Sequence, residues 1–220
     1  MGPYSHFVIA SKLETSLHPD RVDDYYWGAV APDIRYLAQM KRSHTHLEKG
    51  QFMELDALYP NLRSFLLGFQ VHCLTDEVDF YPLIQQAFPL RQLKNFSSHD
   101  LSRQQMTILV ELYYLQSMTT PCILSGRHNE ILTELGIQPE QTREYHRAAQ
   151  EYINSKSPDQ LVMFLRKLGM VDDTRVSKYL QAYSSLRKHP LMRALLMMSI
   201  RNAGLDQVVT SYVQRNLTGL

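Results

Sequence analysis

His72 and Asp76 stand four positions apart in the stretch Phe65–Glu77. On a helix that spacing puts both side chains on one face, with Cβ atoms about 5–6 Å apart. From Phe65 to Leu74 the stretch is apolar nearly all round, with Gln70 and His72 as the polar exceptions, and a helix of that kind belongs in a core. Asp79 extends the same stripe. An ionised carboxylate carried into such a helix needs a partner of opposite charge. A divalent metal ion is a suitable one, since imidazole nitrogen and carboxylate oxygen both bind zinc at about 2.0–2.2 Å. Gly68, one turn before His72, leaves that face open for another backbone or a ligand. The competing reading is a metal-free hydrogen-bonded pair between His72 and Asp76.

Other residues of the same chemistry lie earlier in the chain. Five of the nine histidines (His6, His18, His44, His46 and His72) fall in its first third. His18, just before Pro19 at a helix boundary, is expected at the surface. Asp33 follows Pro32 directly, and alone it reads as a turn or helix-start residue. His44 and His46 point the same way only if their backbone is extended, and alone they read as loop histidines. His6, alone, reads as a structural histidine of a first helix. Together, His6, Asp33, His44 or His46, His72 and Asp76 make a ligand set suited to zinc and able to serve two ions.

The order of these motifs resembles the zinc-dependent phospholipase C family, which shares an all-α superfamily with the single-strand-specific zinc nucleases. The likeness is carried by Ser5–His6, Gly28–Ile34 with its Gly-x-x-x-Pro-Asp, Ser43–His46, and the Leu-Leu-Gly-x-x-x-His-x-x-x-Asp within Phe65–Glu77, roughly the first 80 to 90 residues. The resemblance implies an all-α fold, hydrolysis of phosphodiester bonds and zinc as cofactor, with two ions expected. By position it implies that Asp33, one of His44 and His46, His72 and Asp76 hold one zinc. Asp76 then bridges to a second ion, with His6 as a further ligand. There are departures. The family's N-terminal Trp is exposed by removal of a signal peptide, whereas this sequence opens Met1-Gly2-Pro3. The position six residues after the bridging Asp is Pro82, and His146 is followed four residues on by Gln150, with Glu151 next to it. His99, His128 and Glu130 are the substitutes at hand for the later ligands. These departures lower the expected count from three ions to two.

Two zinc ions about 3.5–4 Å apart activate a water and clamp phosphate oxygens. Glu77 and Asp79 are the candidate general bases, while Arg35, Lys41 and Arg42 are the cations nearest the ligands in sequence. The expected substrate is a phosphate ester, either a phospholipid or another small phosphodiester. The formal net charge of +1 removes the strong electrostatic case for nucleic acid, and Tyr25-Tyr26-Trp27 and Tyr113-Tyr114 are expected in the core rather than as base-stacking platforms. A second enzymatic reading takes His72, His99-Asp100 and Asp172 or Asp173 as the metal ligands of an HD-type phosphohydrolase. A third is a non-catalytic helical interaction protein with a relic metal site. Its C-terminal apolar residues Leu191, Leu195, Leu196, Met197, Met198 and Ile200 are expected in the core, with a homodimer face as the alternative.

The elements that must position these residues are helices. Apolar residues recur at three- and four-residue steps, while Pro and Gly number only 10 and 9 in 220 residues. Helices are expected over 5–16, from Pro19–Asp20 to Trp27, 33–40, 61–87, 98–116, 127–135, 139–154, 158–168, 172–186 and 190–217. Gly28–Asp33 is expected to be a break, and Lys41–Asp56 a functional loop with helical pieces. The expected architecture is one all-α domain over residues 1–220, with the metal site in 1–90 and a helical remainder in 91–220. Hydrophobic residues at 44% and charged residues at 20% are ordinary for a globular chain. The two cysteines are not a disulfide framework: Cys73 points about 100° away from His72 on a helix, and Cys122 reads as a small buried hydrophobe. With no signal peptide and no apolar run of ~18–20 residues, a soluble protein of the reducing cytoplasm is expected.

Overall fold

Residues 2–87, 103–115, 123–155, 157–169 and 190–217, with Ser184 and Lys188, are described by the structure, a computed structural model. Every regular element among them is helical. In chain order these are α1 (Pro3–Leu17), α2 (Val22–Val30), a 3-10 turn (Ala31–Arg35), α3 (Arg42–Thr45), α4 (Lys49–Leu58), a second 3-10 turn (Pro60–Leu62), α5 (Arg63–Glu77) and α6 (Phe80–Gln86). They continue with α7 (Arg103–Leu115), α8 (Glu130–Glu134), α9 (Pro139–Ser155), α10 (Pro158–Lys167), α11 (Pro190–Asn202) and α12 (Leu205–Asn216). The all-α class is therefore as expected.

The centre of the fold is the pairing of α2 with α5, against which α1 and α12 also pack. α5 is buried over most of its circumference, as its composition requires. Two glycines set how close α2 and α5 come. A methyl group at Gly68 would lie inside the van der Waals radius of the Tyr25 carbonyl oxygen, and one at Gly28 would do the same to the Phe65 carbonyl oxygen. The opening at Gly68 is thus taken by another backbone. The break expected over Gly28–Asp33 falls in its second half: α2 runs through Gly28 to Val30 and gives way at Ala31–Pro32 to the 3-10 turn.

The expected 61–87 helix is two helices. Val78 turns to an extended conformation (ψ 113°), and Asp79 Oδ1 accepts from the Tyr81 N–H at 3.2 Å at the start of α6. The 190–217 helix is likewise divided, by Gly204 in the left-handed region (φ 59°). Its Ile200 is buried and Met197 packs against the core, while Met198 is exposed. The helix expected over 172–186 and the start of that over 98–116 lie outside the described residues. No described helix is long and apolar enough to cross a membrane.

The later helices close over the first ones through long-range tyrosine and tryptophan bonds. Tyr145 on α9 donates to the Val30 carbonyl at 2.6 Å, and Trp27 Nε1 donates to the Arg127 carbonyl at 3.0 Å. Both bonds hold the C-terminal end of α2, from which the Ala31–Arg35 turn departs.

If the α2–α5 contact sets the fold, adding one methyl group there is expensive. Gly68→Ala is expected to destabilise by about 2–3 kcal/mol through overpacking, lowering Tm by roughly 5–10 °C in a chain of this size. Gly50, in α4, has open space where a Cβ would go, so Gly50→Ala is expected to leave Tm unchanged or raise it slightly. Thermal unfolding followed by circular dichroism checks both.

Candidate metal centre

Five predicted ligands meet at one end of the α2–α5 pair. His6 comes from the first turns of α1, Asp33 from the 3-10 turn, His46 from the residue closing α3, and His72 and Asp76 from α5. Their donor atoms fall into two overlapping sets, His6–Asp33–His72 and His46–His72–Asp76, within each of which all lie within 4.8 Å of one another. His6, Asp33 and His72 are buried.

His72 carries the clearest signal. Its Nδ1 donates to the Ala29 carbonyl at 2.9 Å, and a carbonyl can only accept, so Nδ1 holds the proton of the neutral ring. Burial, followed by the nearby His6, pushes the His72 pKa well below its usual value, so the ring is neutral. Nε2 therefore presents a lone pair. It has no hydrogen-bond partner, although it is buried, and faces Asp33 Oδ1 at 4.0 Å and Asp76 Oδ2 at 3.9 Å. These separations are too long for hydrogen bonds, so the metal-free His72–Asp76 pair does not form.

His6 likewise sets Nδ1 on a carbonyl, but its Nε2 has a partner. Its Nδ1 lies 2.9 Å from the Gly2 carbonyl, and Nε2 lies 3.0 Å from Asp76 Oδ1. Its ring stacks on His72 at 3.8 Å between centroids. His46 Nε2 is 3.1 Å from Asp76 Oδ2. Histidines that bind metals characteristically donate their other nitrogen to a carbonyl or carboxylate, which fixes ring and tautomer. In a tetrahedral zinc site with bonds of about 2.0–2.2 Å, ligand atoms are spaced roughly 3.3–3.6 Å apart. The nitrogen–oxygen separations here, 3.0 to 4.0 Å, bracket that spacing. These buried His and Asp groups can hold a metal ion.

The two carboxyls are driven in opposite directions. Burial raises Asp33, and the neighbouring Asp76 charge adds to the rise against His6. Burial also pushes Asp76 up, but the positive charge and donors around it, with His6 and His46 among them, outweigh this and hold it well below the usual carboxylate range. Arg42 Nη1 contributes at 3.2 Å from Asp76 Oδ2.

The other expectations divide. Of the two loop histidines, His46 joins the cluster while His44 is exposed on α3. Helical backbone through Arg42–Thr45 separates their directions, where an extended one would have aligned them. Glu77 and Asp79 are exposed and line, with Asp76, a cavity of about 290 Å³. Glu77 Oε2 accepts from the Tyr212 hydroxyl at 2.7 Å. Cys73 is no ligand: burial pushes its thiol up to about 12. Pro82 is exposed on α6. His146 Nε2 lies 3.2 Å from the Leu124 carbonyl and its ring meets Trp27 edge-on, while His128 bridges Thr142 and Thr133. Neither joins a metal-binding set among the described residues. Glu130 opens α8, exposed to solvent. His18 is exposed at the C-terminal cap of α1. His99, Asp100, Asp172, Asp173 and Cys122 lie outside the described residues.

One residue that positions the site was not anticipated. Glu111 on α7 is buried, and its carboxylate accepts from the Tyr4 N–H at 2.9 Å, the Ser5 N–H at 3.1 Å, the Ser5 hydroxyl and the Tyr152 hydroxyl at 2.9 Å. It thereby satisfies the open N–H groups at the start of α1, next to His6, where the helix dipole favours an anion.

Set beside known proteins, the chain matches no family model, no curated protein and no solved structure.

Glu111→Ala leaves several buried donors without an acceptor and is expected to cost about 3 kcal/mol, with Glu111→Gln recovering part of it. Urea unfolding midpoints at constant m-value check this.

Proposed function

We propose that this chain is a zinc-dependent hydrolase of phosphate esters, acting on phosphodiesters in the manner of the phospholipase C family that its ligand order resembles. The observation that carries the reading is the neutral, buried His72, whose Nε2 lone pair is directed at two carboxylates without a hydrogen bond to either. Acceptors converge there, and a cation is the group that reconciles them.

Three imidazoles and two carboxylates favour zinc over the hard, oxygen-preferring ions. Asp76 directs Oδ1 toward His6 and Oδ2 toward His46 and His72. Asp33, His46, His72 and Asp76 would hold one ion, and Asp76 with His6 would hold a second, the division that the family resemblance implies. When bound, zinc makes a coordinated water acidic enough to attack near neutral pH and neutralises charge on the phosphate oxygens. The chain's own residues do the rest. Ala29 and Gly2 hold the His72 and His6 rings through their carbonyls, and burial of Asp33 excludes competing water. Glu77, on the cavity wall beside Asp76, would take a proton from the attacking water on Oε1, while its Oε2 accepts from the Tyr212 hydroxyl. Asp79 is tied to the start of α6 and is the lesser candidate for that role.

Zinc content of protein purified without chelator tests the reading first, with about two ions per chain expected for a two-metal hydrolase and a loss of zinc in His72→Ala and Asp76→Ala. Hydrolysis of bis(4-nitrophenyl) phosphate and of phosphatidylcholine vesicles is expected to be abolished by chelation and restored by zinc. Residues merely supporting metal ligands are commonly worth 10–100-fold, so losing a ligand is expected to cost about 100-fold or more. Protein that binds no zinc refutes the proposal. Protein that binds zinc stoichiometrically but hydrolyses neither substrate is the non-catalytic relic instead.

A further inference from the structure

Three cations lie near the ligands in sequence, and the structure separates them. Arg35 is nearly buried: its guanidinium lies over the Tyr36 ring at 3.8 Å, bonds the Tyr36 hydroxyl and approaches Asp33 Oδ1 at 3.9 Å. Those contacts occupy it within the frame of the site. Lys41 is exposed just before α3 and lines none of the cavities beside the cluster among the described residues.

Arg42 differs on both counts. Its Nη1 stands 3.2 Å from Asp76 Oδ2, yet its side chain remains 50% exposed. With His46, Lys49, Phe52 and Glu77 it lines an open cavity of about 380 Å³ on the flank of the cluster. A guanidinium offers five N–H donors in a planar fork, and among the described residues Asp76 is its only carboxylate partner. Lys49 on the same wall has no carboxylate partner among the described residues. The acidic residues of that wall are committed elsewhere. Glu48 caps the N-terminus of α4 in a capping box with Gln51, and Glu77 accepts from Tyr212.

We infer that Arg42, with Lys49 beside it, receives an anionic phosphate oxygen of the substrate on the open side of the metal centre. This rests on the metal-hydrolase reading and adds to it the residue that recognises the substrate's charge. Asp76 Oδ2 lies 3.1 Å from His46 Nε2 and 3.2 Å from Arg42 Nη1. Once that oxygen serves a cation, its pull on the guanidinium weakens, and the fork is left beside the ion with donors to offer. Planar, paired N–H groups match two phosphate oxygens, which is the geometry arginine meets better than lysine.

The test is titration calorimetry of zinc-loaded, desalted protein with inorganic phosphate, with zinc content measured on each sample. Arg42→Ala is expected to retain zinc and to bind phosphate about tenfold more weakly, the scale of one charge-assisted hydrogen-bonded contact. Arg42→Lys is expected to fall between, and Arg143→Ala, which removes an exposed arginine paired with Glu140, to match wild type. Unchanged phosphate affinity in zinc-loaded Arg42→Ala overturns the role of Arg42 while leaving the metal centre standing. Zinc lost together with phosphate affinity in Arg42→Ala also overturns it, since Arg42 then supports Asp76 as a ligand. Wild-type protein that takes up no zinc overturns both readings.

Discussion

Gly28 and Gly68 let the backbones of α2 and α5 meet where any side chain would hold them apart. That contact has a chemical consequence one residue past Gly28 and one turn past Gly68. The Ala29 carbonyl reaches His72 Nδ1 at 2.9 Å, which an α2 displaced by the width of a methyl group could not do. The bond selects the tautomer that turns the Nε2 lone pair toward Asp33 and Asp76. Because Asp33 sits in the turn that continues from the end of α2, the same crossing sets the carboxylate opposite the imidazole. Packing and site chemistry here are one constraint.

The second half of the described chain contributes no residue to the metal-binding sets, yet the site depends on it. Tyr145 holds the Val30 carbonyl, and Glu111 with Tyr152 holds the start of α1. A carboxylate buried as completely as Glu111 is normally a liability. It is tolerated because its acceptors are matched by backbone N–H groups that α1 must leave unsatisfied and by two hydroxyls. The arrangement fixes the entry of α1, and therefore the depth at which His6 stacks on His72. The later helices act as the frame that keeps a polar cluster assembled in a dry place.

How much of this was legible beforehand follows from which interactions are local. The His72–Asp76 stripe was readable because four-residue spacing on a core helix decides direction by itself. The open face at Gly68 was readable for the same reason. The break set by Pro32 was readable but began at Ala31 rather than Gly28, because Gly28 stays helical against the backbone of a distant helix. His44 and His46 could not be separated until the backbone between them was known to be helical. Glu111 went unnoticed because a glutamate on a helix ordinarily faces water. The available signal was its place inside the apolar run Ile108-Leu109-Val110-Glu111-Leu112, but its partners lie more than 100 positions away in α1. The ligand order in the first third was equally readable, and what the structure adds is that five of those residues meet in groups able to hold a metal ion.

Why a cation suits this cluster better than protons can be argued from the donors alone. His72 and His6 both place Nδ1 against carbonyl oxygens and turn Nε2 toward carboxylate. At His72 this leaves a buried lone pair facing Asp33 and Asp76 with no hydrogen bond to either. A proton is a poor remedy there, because burial pushes His72 toward its neutral form. A divalent ion held by His72 Nε2 would require no change of that ring's tautomer, because the Ala29 carbonyl has already chosen it. The protein invests its closest backbone packing and its most deeply buried polar groups in holding these side chains inward. Buried His and Asp groups arranged in this way can hold a metal ion between them.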